Sequence, residues 1–396
     1  MPGTQVPTHV TLGSFRRAML LQVANVSAES FAWGFIYIQA AMRGASEAQL
    51  ALYFVVMYGV AGLVIPAMGR PVHVGRSMAS GLLLRASAML VAIGVASFGN
   101  VLLAGALHGA FIALFWVPYN AVFFRYTSDA DRAGRSTALF ALFAVSGALL
   151  PLLGAVVIDG SSFAVALVVG AMLLSAGTVA ALATGWGPPM HFRLPRAIVK
   201  GRSLGPLAAA EGVWQGVFWL ITQLGTLRMV DTVLQYGEFL AFLGVMSGVA
   251  SVLAGRWSDR SRDRGLPLVL SACGVAVATG LVTLTFGHLI WWSLAVGVAN
   301  FFANMMMAFT FTLMAELGPG IDDSMALREF MFNVGRVSGG ALVGIAVLAS
   351  GGDLRWPLAV AAAAVVVMLL GYLRALRARA SAAADAAAST VAGPAA

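Results

Sequence analysis

Apolar residues run through this chain in long blocks of about twenty, parted by short polar turns. Stretches of that length match the hydrocarbon thickness of a bilayer when wound as α-helix. The pattern predicts twelve spans, near residues 18–41, 48–68, 77–97, 99–124, 137–158, 162–184, 204–228, 236–255, 266–286, 288–315, 327–349 and 355–375. The blocks are continuous rather than alternating, which excludes a transmembrane β-barrel. A polar N-terminus and then Arg16 and Arg17 precede the first block, which is too long for a cleaved signal sequence. The Ala-rich tail from Arg377 is expected to be disordered.

Composition agrees. Of 396 residues, 60% are hydrophobic and 10% charged, too little charge to cover a soluble protein of this size. The formal charge is +8, but its placement speaks for topology rather than nucleic acid. With the N-terminus in the cytoplasm, nearly every arginine and lysine falls on the inner side, and only Arg43, Arg228 and Arg355 fall outside. Both termini are therefore expected in the cytoplasm. High Ala, Gly and Arg usage points to a bacterial inner membrane. The one cysteine, Cys273, precludes a disulfide framework.

A basic loop, "GWGPPMHFRLPRAIVKGRSLGP", divides the spans evenly. It predicts an N-terminal six-helix bundle over 1–185, a linker over 186–203, a C-terminal bundle over 204–376 and a tail over 377–396. The halves echo each other: "AESFAWGF" from Ala28 matches "AEGVWQGV" from Ala210, and "VSGALL" from Val145 matches "VSGGAL" from Val337. The expected fold class is an all-α membrane protein of two pseudo-symmetric six-helix bundles.

After the eighth span stands "GRWSDRSRDRG". It resembles the Gly-x-x-x-Asp-Arg loop motif of the major facilitator superfamily, through Gly255, Asp259 and Arg260. The first-half loop, "GRPVHVGR", keeps Gly75 and Arg76 but has no Asp. In that family the loop charges brace helix ends and bias the inward and outward states. The fifth span, "SGALLPLLG", resembles part of the Gly/Pro motif of proton-driven antiporters through Gly147, Pro151 and Gly154, with Leu150 where a Gly is expected. The resemblance implies a permease that moves a small organic solute by alternating access, coupled to protons, with a slight lean to export.

Ionisable residues inside spans are costly and usually face a cavity or a partner. Glu29 lies twelve residues past Arg17, about 18 Å along a helix. Gln22, Asn25, Glu29 and Trp33 share a helical face. Glu211 is the repeat counterpart of Glu29, with Trp214 and Gln215 close by. Glu29, Glu211 and His108 are the proton-coupling candidates; a structural pair between helices is the plain alternative for the carboxyls. Arg85 and Arg336 have no charged counterparts in the other half, and each either binds an anionic group or holds a carboxylate such as Glu29. Trp116 with Asn120, and Asn300 with Asn304, are one turn apart and complete the expected cavity. In "LREFMFNVGRVSGG", Glu329, Asn333 and Arg336 form one polar face, while Arg328 is expected to reach the membrane surface. Gly335, Gly339, Gly340 and Gly344 provide small-residue contact surfaces.

No catalytic motif or Cys/His cluster is present, so neither an enzyme nor a metal site or cofactor is expected. Adjacent methionines in "NMMMAF" point about 100° apart on a helix and cannot make one copper site. The expected partners are a small solute, protons and the bilayer, with the chain a monomer. A lipid flippase and a non-transporting membrane sensor are the alternatives on the same fold.

Overall fold

The computed structural model describes residues 12–68, 71–94, 97–125, 132–260 and 265–391, with side chains described except at 12–16, 132–144, 258–260 and 382–391. The first span is α1 (Leu12–Phe31), a 3-10 turn (Trp33–Phe35) and α2 (Ile36–Met42). Spans two and three are α3 (Glu47–Ala67) and α4 (Val74–Ile93). The fourth is α5 (Phe98–Phe111), a π-helical turn (Ile112–Trp116) and α6 (Val117–Arg125). Spans five and six are α7 (Arg132–Gly160) and α8 (Phe163–Ala183). A short linker helix, α9 (Leu194–Lys200), leads to α10 (Gly205–Leu227), α11 (Val233–Arg260), α12 (Gly265–Val282), α13 (Leu289–Leu317), α14 (Ile321–Ala349) and α15 (Arg355–Val391).

Among the described residues nine of these helices are long and apolar enough to cross a membrane on composition alone. The first span, α7 and α10 complete the twelve. Leu63, Leu284, Ile290 and Leu348 are each about three-quarters exposed, as an outer surface wetted by lipid tails allows.

The two halves repeat one packing scheme. In the first, α1 packs on α7 and α8, α3 on α5, and α4 on α5 and α8. In the second, α10 packs on α14 and α15, α11 on α13, and α12 on α13 and α15. Each of these contacts of one bundle has its counterpart in the other. The halves meet through α3 against α14 and α7 against α11, which are again equivalent pairs.

Small residues bring these helices together. A Cβ on Gly335 would lie 2.1 Å from the Ala209 carbonyl oxygen, and one on Gly339 2.5 Å from that of Val213, so this pair seats α14 on α10. Gly340 and Gly344 face Phe54 and Ala51 of α3 instead. The two small-residue surfaces thus serve different contacts, one within a half and one between halves.

Local chemistry sets several boundaries. Ser46 and Gln49 form a reciprocal capping box at the start of α3. The π turn in the fourth span precedes Pro118, which has no N–H to donate; Ser77 of α4 donates to the Leu114 carbonyl at 2.8 Å within that turn.

Two expectations are corrected. The tail expected to be disordered from Arg377 instead continues α15 to Val391, in keeping with the high helix propensity of alanine; residues 392–396 lie outside the described residues. The eleventh span begins at Ile321, six residues before the expected start, which places Arg328 well inside a helix.

Candidate functional site

A central cavity of about 370 Å³ lies between the halves. Its wall comes from the first, second, fourth, seventh, eighth and tenth spans. Of the expected residues, Glu29, Trp33, His108, Asn300 and Asn304 line it. Trp33 packs against His108 at 4.6 Å between ring centroids with the rings tilted, and Phe111 meets the imidazole edge to face at 5.3 Å. The His108 Nδ1 has no hydrogen-bond partner among the described residues.

Glu29 points into the cavity with its side chain 47% exposed, and Arg85 forms an ion pair with it from behind, only 2% exposed. Asn25 accepts a second hydrogen bond from Arg85, and the guanidinium lies 4.6 Å above the Phe111 ring. Of the two readings left open for Arg85, the geometry realises the carboxylate holder. Gln22 and Asn25 are buried beside this pair rather than exposed to the cavity.

In the second half Glu211, Gln215, Arg328, Glu329, Asn333 and Arg336 lie outside the cavity wall, in a buried layer. Arg328 is the hub. Its Nη1 meets Glu329 Oε1 at 2.9 Å, its Nη2 lies 3.6 Å from Glu211 Oε1, and its guanidinium covers Phe332 at 4.5 Å. Arg328 is therefore a buried partner of two carboxylates, contrary to the expectation that it reaches the surface. Both Glu211 oxygens are buried and accept no hydrogen bond among the described residues. Asn120 of α6 donates to Glu329 Oε1 at 3.2 Å, and Asn333 donates to the Glu329 carbonyl at 2.7 Å. Arg336 donates to Gln215 Oε1 through Nε at 3.1 Å and Nη2 at 2.7 Å, beneath the rings of Phe332, Tyr58 and Trp219.

Asn120, Gln215, Glu329, Asn333 and Arg336, expected at the cavity, are thus spent on each other. Trp214 is also withdrawn from it: fully buried, it donates to Thr279 of α12 at 3.0 Å and stacks on Phe218. Trp116 sits in the π turn against Phe115 and Tyr119, also outside the wall. Gly255 is buried in α11, whereas the side chains of Asp259 and Arg260 lie outside the described residues.

Residues missed from the sequence supply much of the wall: Tyr37, Tyr53, Tyr58, Trp219, Gln223 and Ser247. Phe54 and Tyr58, one helical turn apart on α3, were the available signal.

Separate polar fastenings join the halves at the two ends. At the linker end, Arg125 pairs with Asp322 at 2.5 Å. The linker joins in: the His191 N–H donates to Asp322 at 2.9 Å, the Arg193 N–H to Asp323 at 3.1 Å, and Met190 exchanges backbone hydrogen bonds with Val72. At the opposite end, Arg228 grips both oxygens of Glu47 at 2.6 Å each and also donates to the Gly352 carbonyl.

No family model and no curated protein matches the sequence. Solved structures do match in shape. A major facilitator superfamily transporter, FucP, in the outward conformation aligns with TM-score 0.68 at 12% identity, over 91% of this chain and 99% of that one. A substituted form of the Escherichia coli fucose:proton symporter aligns with TM-score 0.61 at 13% identity, over 91% and 96%. The chain has the major facilitator fold. In that fold the cavity described above occupies the interface of the two bundles. The glycines of the fifth-span motif find a packing role within it: a Cβ on Gly154 would lie 2.1 Å from the Phe31 carbonyl oxygen, and Gly147 touches Gly244.

Proposed function

We propose that this protein is a secondary transporter that carries a small organic solute through the central cavity by alternating access. One observation carries the reading: a cavity walled by both halves, with distinct polar contacts joining those halves at each end. Opening then requires the release of one set of contacts while the other holds, which is the rocking of repeats about a fixed site. The units that rock would be 1–185 and 204–376, joined by the linker. The basic end, with both termini, would face the cytoplasm of a bacterial cell.

Proton coupling is part of the proposal. Glu211 is the better placed carboxyl, because its one charged partner, Arg328, is shared with Glu329. It can hold either a proton or that ion pair, and exchange between the two would drive the cycle. Glu29 is firmly held by Arg85 and serves the solute instead. Gly147 and Gly154 are occupied in helix contacts and carry no direction of transport.

The test uses spin-label pairs at Arg76 with Leu266 and at Met42 with Leu284, all at exposed positions on opposite halves. Between about pH 8 and about pH 5 the two distances should change in opposite senses, and Glu211→Gln should abolish the response. Distances fixed at both ends under all conditions would instead make the chain a static sensor or scaffold.

A further inference from the structure

We infer that the solute is a small organic cation, a protonated amine or quaternary ammonium, with Glu29 as its counter-ion. This rests on the cavity being a transport site. The argument begins with charge. Among the described lining residues Glu29 is the one acid, and no lysine or arginine lines the wall. Arg85 neutralises Glu29 from behind, at 2% exposure, so the cavity meets the carboxylate and not the guanidinium. Arg336 is not part of the wall: it lies against the Tyr58 and Trp219 rings and is held by Gln215. An anionic solute would find no cation to meet it.

The uncharged polar groups separate a cation from a neutral polyol. A polyol needs several free donors and acceptors converging on its hydroxyls. Here most of the amide groups are already engaged. Asn300 donates to Leu243 and Ser247, Asn304 donates to Ser247 and to Asn300, and Gln223 accepts from Tyr236. The largest part of the remaining wall is one half-exposed carboxylate and the rings of Trp33, Tyr37, Tyr53, Tyr58 and Trp219, with His108 and Thr222 as further polar neighbours. Aromatic faces grouped around a carboxylate recognise cations, through the ring quadrupole as well as direct charge. The volume, about 370 Å³, lies in the range of small-molecule sites.

The experiment is calorimetric titration of the purified full chain with tetraethylammonium, a neutral hexose and benzoate. It is run at about pH 8, where histidine is neutral. Saturable binding of tetraethylammonium alone is expected, weakened by about tenfold or more in Glu29→Gln. Because that variant strands Arg85, the charge-balanced pair Glu29→Gln with Arg85→Gln is measured too and should be equally impaired. Hexose or benzoate binding in place of the cation, no saturable cation binding, or full affinity in the charge-balanced pair overturns the assignment. The spin-label distances remain a separate reading, so a wrong solute class is distinguishable from a protein that does not alternate.

Discussion

Asn120 donates to Glu329 across the boundary between the two halves, and both residues are buried. Glu329 in turn holds Arg328, whose other neighbour is Glu211. A chain of four side chains therefore links the bundle interface to a carboxyl sealed inside the second half. Removing the Asn120 donor leaves an ionised acceptor short of one hydrogen bond, at a cost of about 1.5–3 kcal/mol. Asn120→Ala is expected to lengthen the distance between labels at Arg76 and Leu266. Asn120→Asp, which sets two carboxylates against each other, should lengthen it further. An unchanged distance in the Asp variant would show that this contact does not hold the linker end closed.

Arg228 and Glu47 form the corresponding contact at the other end, but about a third of each side chain is exposed. Solvent screening limits such a pair to about 0.2–1 kcal/mol. The hydrogen bonds from Arg228 to Glu47 hold the guanidinium above its ordinary value. The contribution of a raised group is complete below its ordinary value and is lost only as pH climbs through the raised one. Mild alkali should therefore leave the Met42–Leu284 label distance unchanged, whereas about 1 M salt should broaden it towards the distribution of Arg228→Gln. A response to alkali without a response to salt would contradict this account.

Trp214 shows how a residue that reads as a cavity wall can belong to the scaffold. Its indole N–H is paired with Thr279 inside the second half. Trp214→Phe should lose about 1 kcal/mol of stability, seen as a lower unfolding temperature, while leaving tetraethylammonium affinity at the wild-type value. A loss of affinity without a loss of stability would return Trp214 to the binding site.

The fold was legible because each span has the length and apolarity that a bilayer demands, and the basic residues marked one end. Glu29 stood out because a carboxyl is rare at that depth. The rest of the site was hidden for two physical reasons. Helical spacing shows that Glu329, Asn333 and Arg336 share a face, but not that the face is spent on the neighbouring Arg328 and on Gln215 and Asn120, which come from two distant helices. The aromatic wall was obscured by composition: Tyr37, Tyr53 and Tyr58 sit among many apolar residues, and only the packing of α3 against the first span and α14 selects their face.

Gly147 and Gly244 bring the backbones of α7 and α11 into contact, and with them the two halves. A Cβ on Gly244 would lie 2.1 Å from the carbonyl carbon of Gly147, a backbone atom that cannot step aside as a side chain can. A Cβ on Gly147 would lie 3.1 Å from the Gly244 Cα, a milder clash. The contact is at the depth of the cavity, since Gly244 also lines it. Rocking halves must pivot where they stay in contact, and two glycines allow their backbones to roll with no side chain between them. Gly244→Val should therefore cost about 1–3 kcal/mol by forcing the helices apart. It should also remove the opposed changes in the two label distances. Gly147→Ala should keep both distance changes and lose less stability. If Gly244→Val folds with wild-type stability and still alternates, the pivot lies elsewhere along α7 and α11.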